Sequence, residues 1–189
     1  MTCRQTRSHN TFFESNTRQI RMQPLIRLCT TQETGTALAI INDAAQAYKD
    51  VIPADRWHDP YMSAAELDDE IARGVVFWGA LRDDTLIGVA GMQDRDEVAL
   101  VRHAYVATGA QRSGCGSALL RHLESEETKK PILIGTWADA RWAIDFYRKS
   151  GYTLVSSALK NVLLQKYWSI PQRQIETSVV LAKRLPESG

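Results

Sequence analysis

The stretch QRSGCGSALL, residues 111–120, sets two glycines around a single residue, with an arginine just before them and an amphipathic run after. Immediately upstream, EVALVRHAYV has the composition of a strand. A strand that turns through glycines into a helix leaves the first amides of that helix without intrahelical acceptors. Glycines let those amides approach a ligand closely, and the helix dipole favours an anion there. Gln111 and Arg112 add hydrogen bonds and a positive charge. The chemistry this pattern serves is the holding of phosphate groups. It lacks the Gly-Lys-Ser/Thr of a Walker loop. It also lacks the third glycine of a dinucleotide fingerprint, and the strand before it follows antiparallel hairpins.

The elements that must position this loop read as follows. Pro24–Thr30 alternates like a first strand, and Thr34–Val51 has helical spacing, with Leu38, Ile41, Ala45 and Tyr48 on one stripe. IPADRWHDPYM breaks the periodicity with two prolines and reads as a loop. Ser63 and Glu66 form a capping box for the next helix, which Gly74 ends. Residues 75–106 read as three strands with tight turns at Arg82–Thr85 and Asp94–Glu97. A helix over Gln111–Glu126, the buried strand PILIGTW and a helix over Asp139–Ser150 follow. Tyr152–Val155 and Gln174–Leu185 read as the last strands. Between them SALKNVLLQKYWSIPQR is helical up to Trp168. The order β-α-α-β-β-β-α-β-α-β-β predicts an α/β fold around a mixed sheet, antiparallel in its middle.

Composition narrows the function classes. Hydrophobic residues make up 44% and charged residues 24% of the 189, an ordinary globular balance. With 23 Lys and Arg against 22 Asp and Glu, nucleic acid and anionic membranes are poor partners. No apolar stretch reaches membrane-spanning length. Cys3, Cys29 and Cys115 are scattered and in no metal-ligand spacing, so no metal site is expected and a reducing, cytoplasmic compartment is. Residues 1–22 are polar, carry four arginines and read as a disordered extension before one domain over 23–189.

Among phosphate ligands, the pyrophosphate of coenzyme A fits, because two spaced motifs resemble those of the GNAT (Gcn5-related) N-acetyltransferase superfamily. The first is Gln/Arg-x-x-Gly-x-Gly/Ala after a strand ending in an aromatic–Val pair, here Tyr105–Val106. The second is WAIDFYRKSGY, which resembles the superfamily's Ala-x-x-Phe-Tyr-x-x-x-Gly-Phe/Tyr helix. The resemblance runs from about Pro24 to Leu185. It implies a largely antiparallel sheet flanked by helices and splayed at an acetyl-CoA site. It further implies that Gln111, Arg112, Ser113, Gly114, Cys115 and Gly116 bind pyrophosphate, mostly through main-chain amides. Ala104, Tyr105 and Val106 would pair with the pantetheine arm like another strand. Tyr147 matches the tyrosine that often lies near the thioester sulfur. One departure stands out: many members carry Asn where this chain has Ala140.

Acyl transfer to an amine needs a deprotonated nucleophile, a polarised carbonyl and a proton for the departing thiolate. Tyr147 is the expected acid, a phenol neutral at pH 7; packing beside Phe146 is the alternative. His103 is the expected base, since it sits on the strand next to the cofactor stretch, and a structural histidine is the alternative. Trp57, His58 and Tyr61, in the proline-bounded loop, and Arg102 on the strand are expected to line the acceptor site. The segment KNVLLQKYWSIPQR is longer than a hairpin connection needs. It covers the acceptor site, forms a homodimer contact or is a satellite helix. The reading is therefore an acetyl-CoA-dependent N-acetyltransferase for a small-molecule acceptor, acting by direct transfer. A non-catalytic acyl-CoA-binding module is the rival.

Overall fold

The computed structural model describes residues 23–186, so Cys3 and the extension expected over 1–22 lie outside the described residues. In chain order the elements are β1 (Leu25–Leu28), α1 (Thr34–Ala45), α2 (Ala64–Ala72), β2 (Val75–Arg82), β3 (Thr85–Arg95) and β4 (Val98–Val106). They continue with α3 (Cys115–Glu126), β5 (Ile132–Trp137), α4 (Arg141–Lys149), β6 (Thr153–Leu154), α5 (Ser157–Tyr167), α6 (Gln172–Glu176) and β7 (Ser178–Lys183). All seven strands join one sheet in the order β1-β2-β3-β4-β5-β7-β6. Every pairing is antiparallel except β4 with β5. The expected mixed, largely antiparallel sheet flanked by helices is what forms.

Local chemistry explains most boundaries. Asp83 and Asp84 both take positive φ in the β2–β3 turn, a conformation Asp tolerates better than most residues. Ser63 accepts a hydrogen bond from the Glu66 amide at 3.2 Å while Glu66 accepts from the Ser63 amide at 2.7 Å, the expected capping box on α2. Three expected spans are shorter than their patterns implied. Helix α1 ends at Ala45 and passes into a 3-10 turn over Gln46–Tyr48, and its buried stripe is Ala37, Ile40, Ile41, Ala44 and Ala45. Helix α3 starts at Cys115 rather than Gln111, because Arg112 and Gly114 both have positive φ and cannot continue a helix. The last strand starts at Ser178 rather than Gln174. Pro171 opens the short helix α6 there, and Ile175 buries its side chain under α5.

Two irregularities in the sheet matter for the site. Strand β4 pairs Arg102 with Gly91 and Tyr105 with Val89, so His103 and Ala104 together face Ala90 across a bulge. His103 sits there with φ +48°. On its other side β4 pairs with β5 only at Ala99–Ile132, Leu100–Leu133 and Val101–Ile134. Past Val101 the two parallel strands part. The sheet is splayed from the bulge onward.

Candidate active site

The glycine loop lies at the wide end of that splay. The first amide of α3 with an acceptor in its own turn is that of Ala118, bonded to the Gly114 carbonyl at 3.0 Å. The amides before it point out of the helix start, as in an anion site. Gly114 takes φ +89°, which a side chain rarely adopts, and an added Cβ would meet nothing within 4 Å. A groove of about 640 Å³ begins here, between Gln111, Arg112, Gly114 and Gly116. It runs past Ala104, Tyr105 and Val106 on β4 to Trp142, Phe146 and Tyr147 on α4.

Two loop residues expected at the ligand turn their side chains away. The Ser113 hydroxyl donates to the Ala110 carbonyl at 2.6 Å and fastens the turn. The Cys115 side chain is buried in the core, close enough to Gly88 that a Cβ there would lie 2.9 Å from its sulfur. Burial pushes its thiol up to about 11, which removes it as a nucleophile at neutral pH. Only their main chains remain available to the groove.

At its inner end the groove meets a second cavity of about 140 Å³ lying between β4 and β5. Tyr48, Ala104, Tyr105 and Tyr147 line both. Tyr147 is buried, and that burial, with nearby Tyr48, holds its phenol well above the ordinary range. Burial likewise pushes Tyr48 up to about 12. These phenols stay protonated at neutral pH and can donate. Ala140 caps α4 with no side-chain hydrogen bond and is fully buried.

The second cavity is walled on its far side by Leu164, Trp168, Ile170 and Gln174, from α5, α6 and their connection. The long segment therefore covers the cleft. Gly135 makes this fit: its missing Cβ lets the Trp168 indole lie against β5, 3.4 Å from where that Cβ would be. A third cavity of about 390 Å³ opens beyond, lined by His58, Tyr61, Glu70, Arg102, Trp137 and Ile170 among others. Its loop wall is held by Asn42, whose side chain takes both the Met62 amide, at 2.8 Å, and the Met62 carbonyl, at 2.9 Å.

A charged node links the bulge to this third cavity. Glu70, on α2, receives Arg102 at 2.8 Å on one oxygen. Its other oxygen lies 2.7 Å from Arg102 and 3.1 Å from His103 Nε2. Arg102 also donates to Gln93 at 3.2 Å, and the buried Gln93 amide donates to the Arg73 carbonyl at 2.8 Å. Burial works to raise the Glu70 carboxyl, but the His103 hydrogen bond and the Arg102 charge outweigh it and hold the group below its ordinary value. The His103 ring stacks on Phe77, centroids 6.0 Å apart.

His103, Arg102, Tyr61 and Tyr147 line the second cavity, and Arg102, Tyr61 and His58 line the third. Trp57 departs from the sequence expectation. It lines none of the three cavities and instead packs behind Tyr61, ring centroids 5.8 Å apart, because the loop turns it onto the core. Glu70, Tyr48 and Trp168 were not foreseen. Glu70 is one of four acids in AAELDDEIARG, and nothing in that spacing singles it out. Tyr48 falls at helical spacing and reads as core.

Comparison with known proteins bears on this geometry. Residues 73–154 match the family model of the acetyltransferase (GNAT) domain. That span includes the bulge, the glycine loop and α4. No curated protein matches the chain in sequence. Among solved structures, the chain is similar to the PaiA N-acetyltransferase of Thermoplasma acidophilum in complex with coenzyme A. The identity is 18% and the TM-score 0.65, over 87% of this chain and 100% of that one. It is also similar to the ribosomal-protein-S18-alanine N-acetyltransferase of Escherichia coli, at 17% identity and TM-score 0.61, over 87% and 96% of the two chains. The ribosomal-protein-alanine N-acetyltransferase of Brucella melitensis aligns at 21% identity and TM-score 0.59, over 85% and 99%. At such identities the likeness establishes the fold, which is the one the two sequence motifs implied.

Proposed function

We propose that this chain, whose residues 73–154 match the GNAT acetyltransferase domain model, moves an acetyl group from acetyl-CoA to an amine of a small molecule, directly, in a ternary complex. One observation carries the reading. The groove from the glycine loop and the cavities beneath α2 and α5 meet at one point, walled by Tyr48, Ala104, Tyr105 and Tyr147. Two ligands can therefore enter through separate cavities and meet at those four residues. The pyrophosphate belongs at the amides of Arg112–Gly116. The pantetheine arm runs along Ala104–Val106, where β4 has parted from β5 and offers backbone groups.

At the junction the acceptor nitrogen attacks the thioester carbonyl carbon, and the C–S bond breaks as the C–N bond forms. His103, held by Glu70, receives the nitrogen's proton. Tyr147, kept neutral by burial, supplies a proton to the departing sulfur. The buried thiol of Cys115 argues against an acetyl-enzyme.

The test is acetyl-CoA with a panel of primary amines, following thiol release and the mass gain of one acetyl group on the amine. Initial rates varied in both substrates should give intersecting double-reciprocal lines. Parallel lines would overturn direct transfer. Tight coenzyme A binding with no transfer to any amine would favour the non-catalytic module instead.

A further inference from the structure

We infer that the acceptor is an amine that also carries a carboxylate, and that Arg56 is the residue that binds this carboxylate. The inference rests on the acetyl-transfer reading and names the substrate class of the same site. It comes from the charges lining the third cavity.

Those charges are three arginines, Arg56, Arg73 and Arg102, and three acids, Glu66, Asp69 and Glu70. Five of the six already have partners in the fold. Arg102 pairs with Glu70 at 2.7 Å. Arg73 faces Asp69 at 3.8 Å. Glu66 is turned onto the Ser63 amide and hydroxyl at 2.7 and 2.9 Å, where the α2 dipole also stabilises it. Arg56 differs. Among the described residues its guanidinium has no hydrogen-bond or ion-pair partner, and its Nε is buried without one. Its sequence neighbour Asp55 faces Arg173 instead, at 3.5 Å. Of these six side chains Arg56 alone brings an unpaired charge to the cavity, and a ligand anion is what would pair it.

Arginine's planar fork suits a carboxylate, which it binds through two parallel hydrogen bonds. A phosphate dianion fits less well, because one unpaired guanidinium balances one negative charge rather than two. The rest of the lining mixes apolar and aromatic Met62, Tyr61, Trp137, Ile170 and Pro171 with neutral polar His58, Ser169 and Gln174. That arrangement suits an acceptor with a hydrocarbon body, its carboxylate at Arg56 and its amine toward His103.

The probes are the α-amino acids and a series of ω-amino carboxylates of increasing chain length, each paired with its carboxamide. Each pair is titrated calorimetrically into the coenzyme A-loaded protein, and kcat/KM for acetylation is measured alongside. Wild type should favour at least one carboxylate over its carboxamide by about tenfold to a hundredfold, the usual worth of a charge-assisted pair. Arg56→Gln should collapse that ratio by raising KM, whereas Arg173→Gln, which removes an equal charge from the exposed rim, should preserve it. Equal affinity for every carboxylate and its carboxamide, or binding of neither, overturns the inference. So does a ratio unchanged in Arg56→Gln. Selective carboxylate binding without turnover would uphold Arg56 and refute acetyl transfer, so the two failures are separable.

Discussion

Replacing Glu70 by Gln tests whether one carboxylate organises the acceptor face of the site. Glu70 and Arg102 are largely shielded, with 17% and 18% of their side-chain surfaces exposed, and lie 2.7 Å apart. Removing one member of a well-buried pair costs about 3–5 kcal/mol, because the other charge is left uncompensated. Gln keeps an acceptor oxygen and the site keeps some solvent, so we expect a loss of about 2–3 kcal/mol. For a domain of this size that lowers Tm by roughly 4–12 °C. Because the folded Glu70 carboxyl lies below its ordinary value, its contribution is present in full above the unfolded value. It is lost as pH falls through the folded one. The gap between wild type and Glu70→Gln should therefore be widest near neutral pH and close in acid. Urea denaturation at several pH values measures it. The pair can be isolated with Glu70→Leu, Arg102→Leu and the double variant; Gln93 loses the same bond in both Arg102 arms, so that loss cancels. The double variant should be more stable than the sum of the singles by at least about 1 kcal/mol. A Glu70→Gln loss under about 0.5 kcal/mol, or additivity in the cycle, would refute the claim that Glu70 holds this face together.

The other consequences are narrower. Tyr147→Phe should lower kcat about 10²–10⁴-fold with coenzyme A affinity near wild type, since the ring stays in the core; a wild-type rate would assign Tyr147 to packing. A bulky residue at Gly114 or Gly116 should weaken coenzyme A by about 1–3 kcal/mol by calorimetry. The Gly114 change should also destabilise the fold through its φ of +89°. Trp57→Ala should raise acceptor KM by loosening Tyr61, against which it packs, and leave coenzyme A affinity unchanged; a weaker coenzyme A with a normal KM would place the loop on the cofactor side.

What was legible in the sequence, and what was not, follows from the range of the interactions involved. The glycine loop, the capping box at Ser63 and the hairpin turns are local: their residues are within a few positions of one another, and backbone chemistry alone sets them. The helix start at Cys115 was missed by four residues because Arg112 adopts positive φ, which no local preference of arginine announces. The span over Gln174–Leu185 looked like one strand because its apolar alternation continues through α6, and only Pro171 and the burial of Ile175 against α5 decide otherwise. Glu70 lies 32 residues from Arg102 in sequence, and its role exists only once α2 is laid across the bulge. Trp57 suggests a ligand contact from sequence because aromatic residues in a loop have no periodicity to explain them. The fold supplies the explanation in a loop clamped by Asn42 that brings its aromatics onto the core.

The bulge in β4 joins these parts. An unbroken strand would send His103 and Ala104 to opposite faces in simple alternation and let β4 continue beside β5. The extra residue instead sets His103 in the left-handed region, with its ring on Phe77 and its nitrogen on Glu70. At nearly the same point the pairing with β5 ends after Val101, which leaves Ala104–Val106 without a strand partner on that edge, where the Gln111 side-chain amide donates to the Val106 carbonyl at 3.3 Å. A strained, partly buried histidine persists only where its surroundings over-determine it. Here the Arg102–Glu70–His103 contacts on one side and the Gly91 register on the other do so, since a Cβ at Gly91 would lie 3.1 Å from the Arg102 carbonyl. One distortion of one strand thus opens β4 toward the glycine-loop groove and sets His103 in the wall of the second cavity. The fold, rather than any single catalytic side chain, is what makes the two cavities meet.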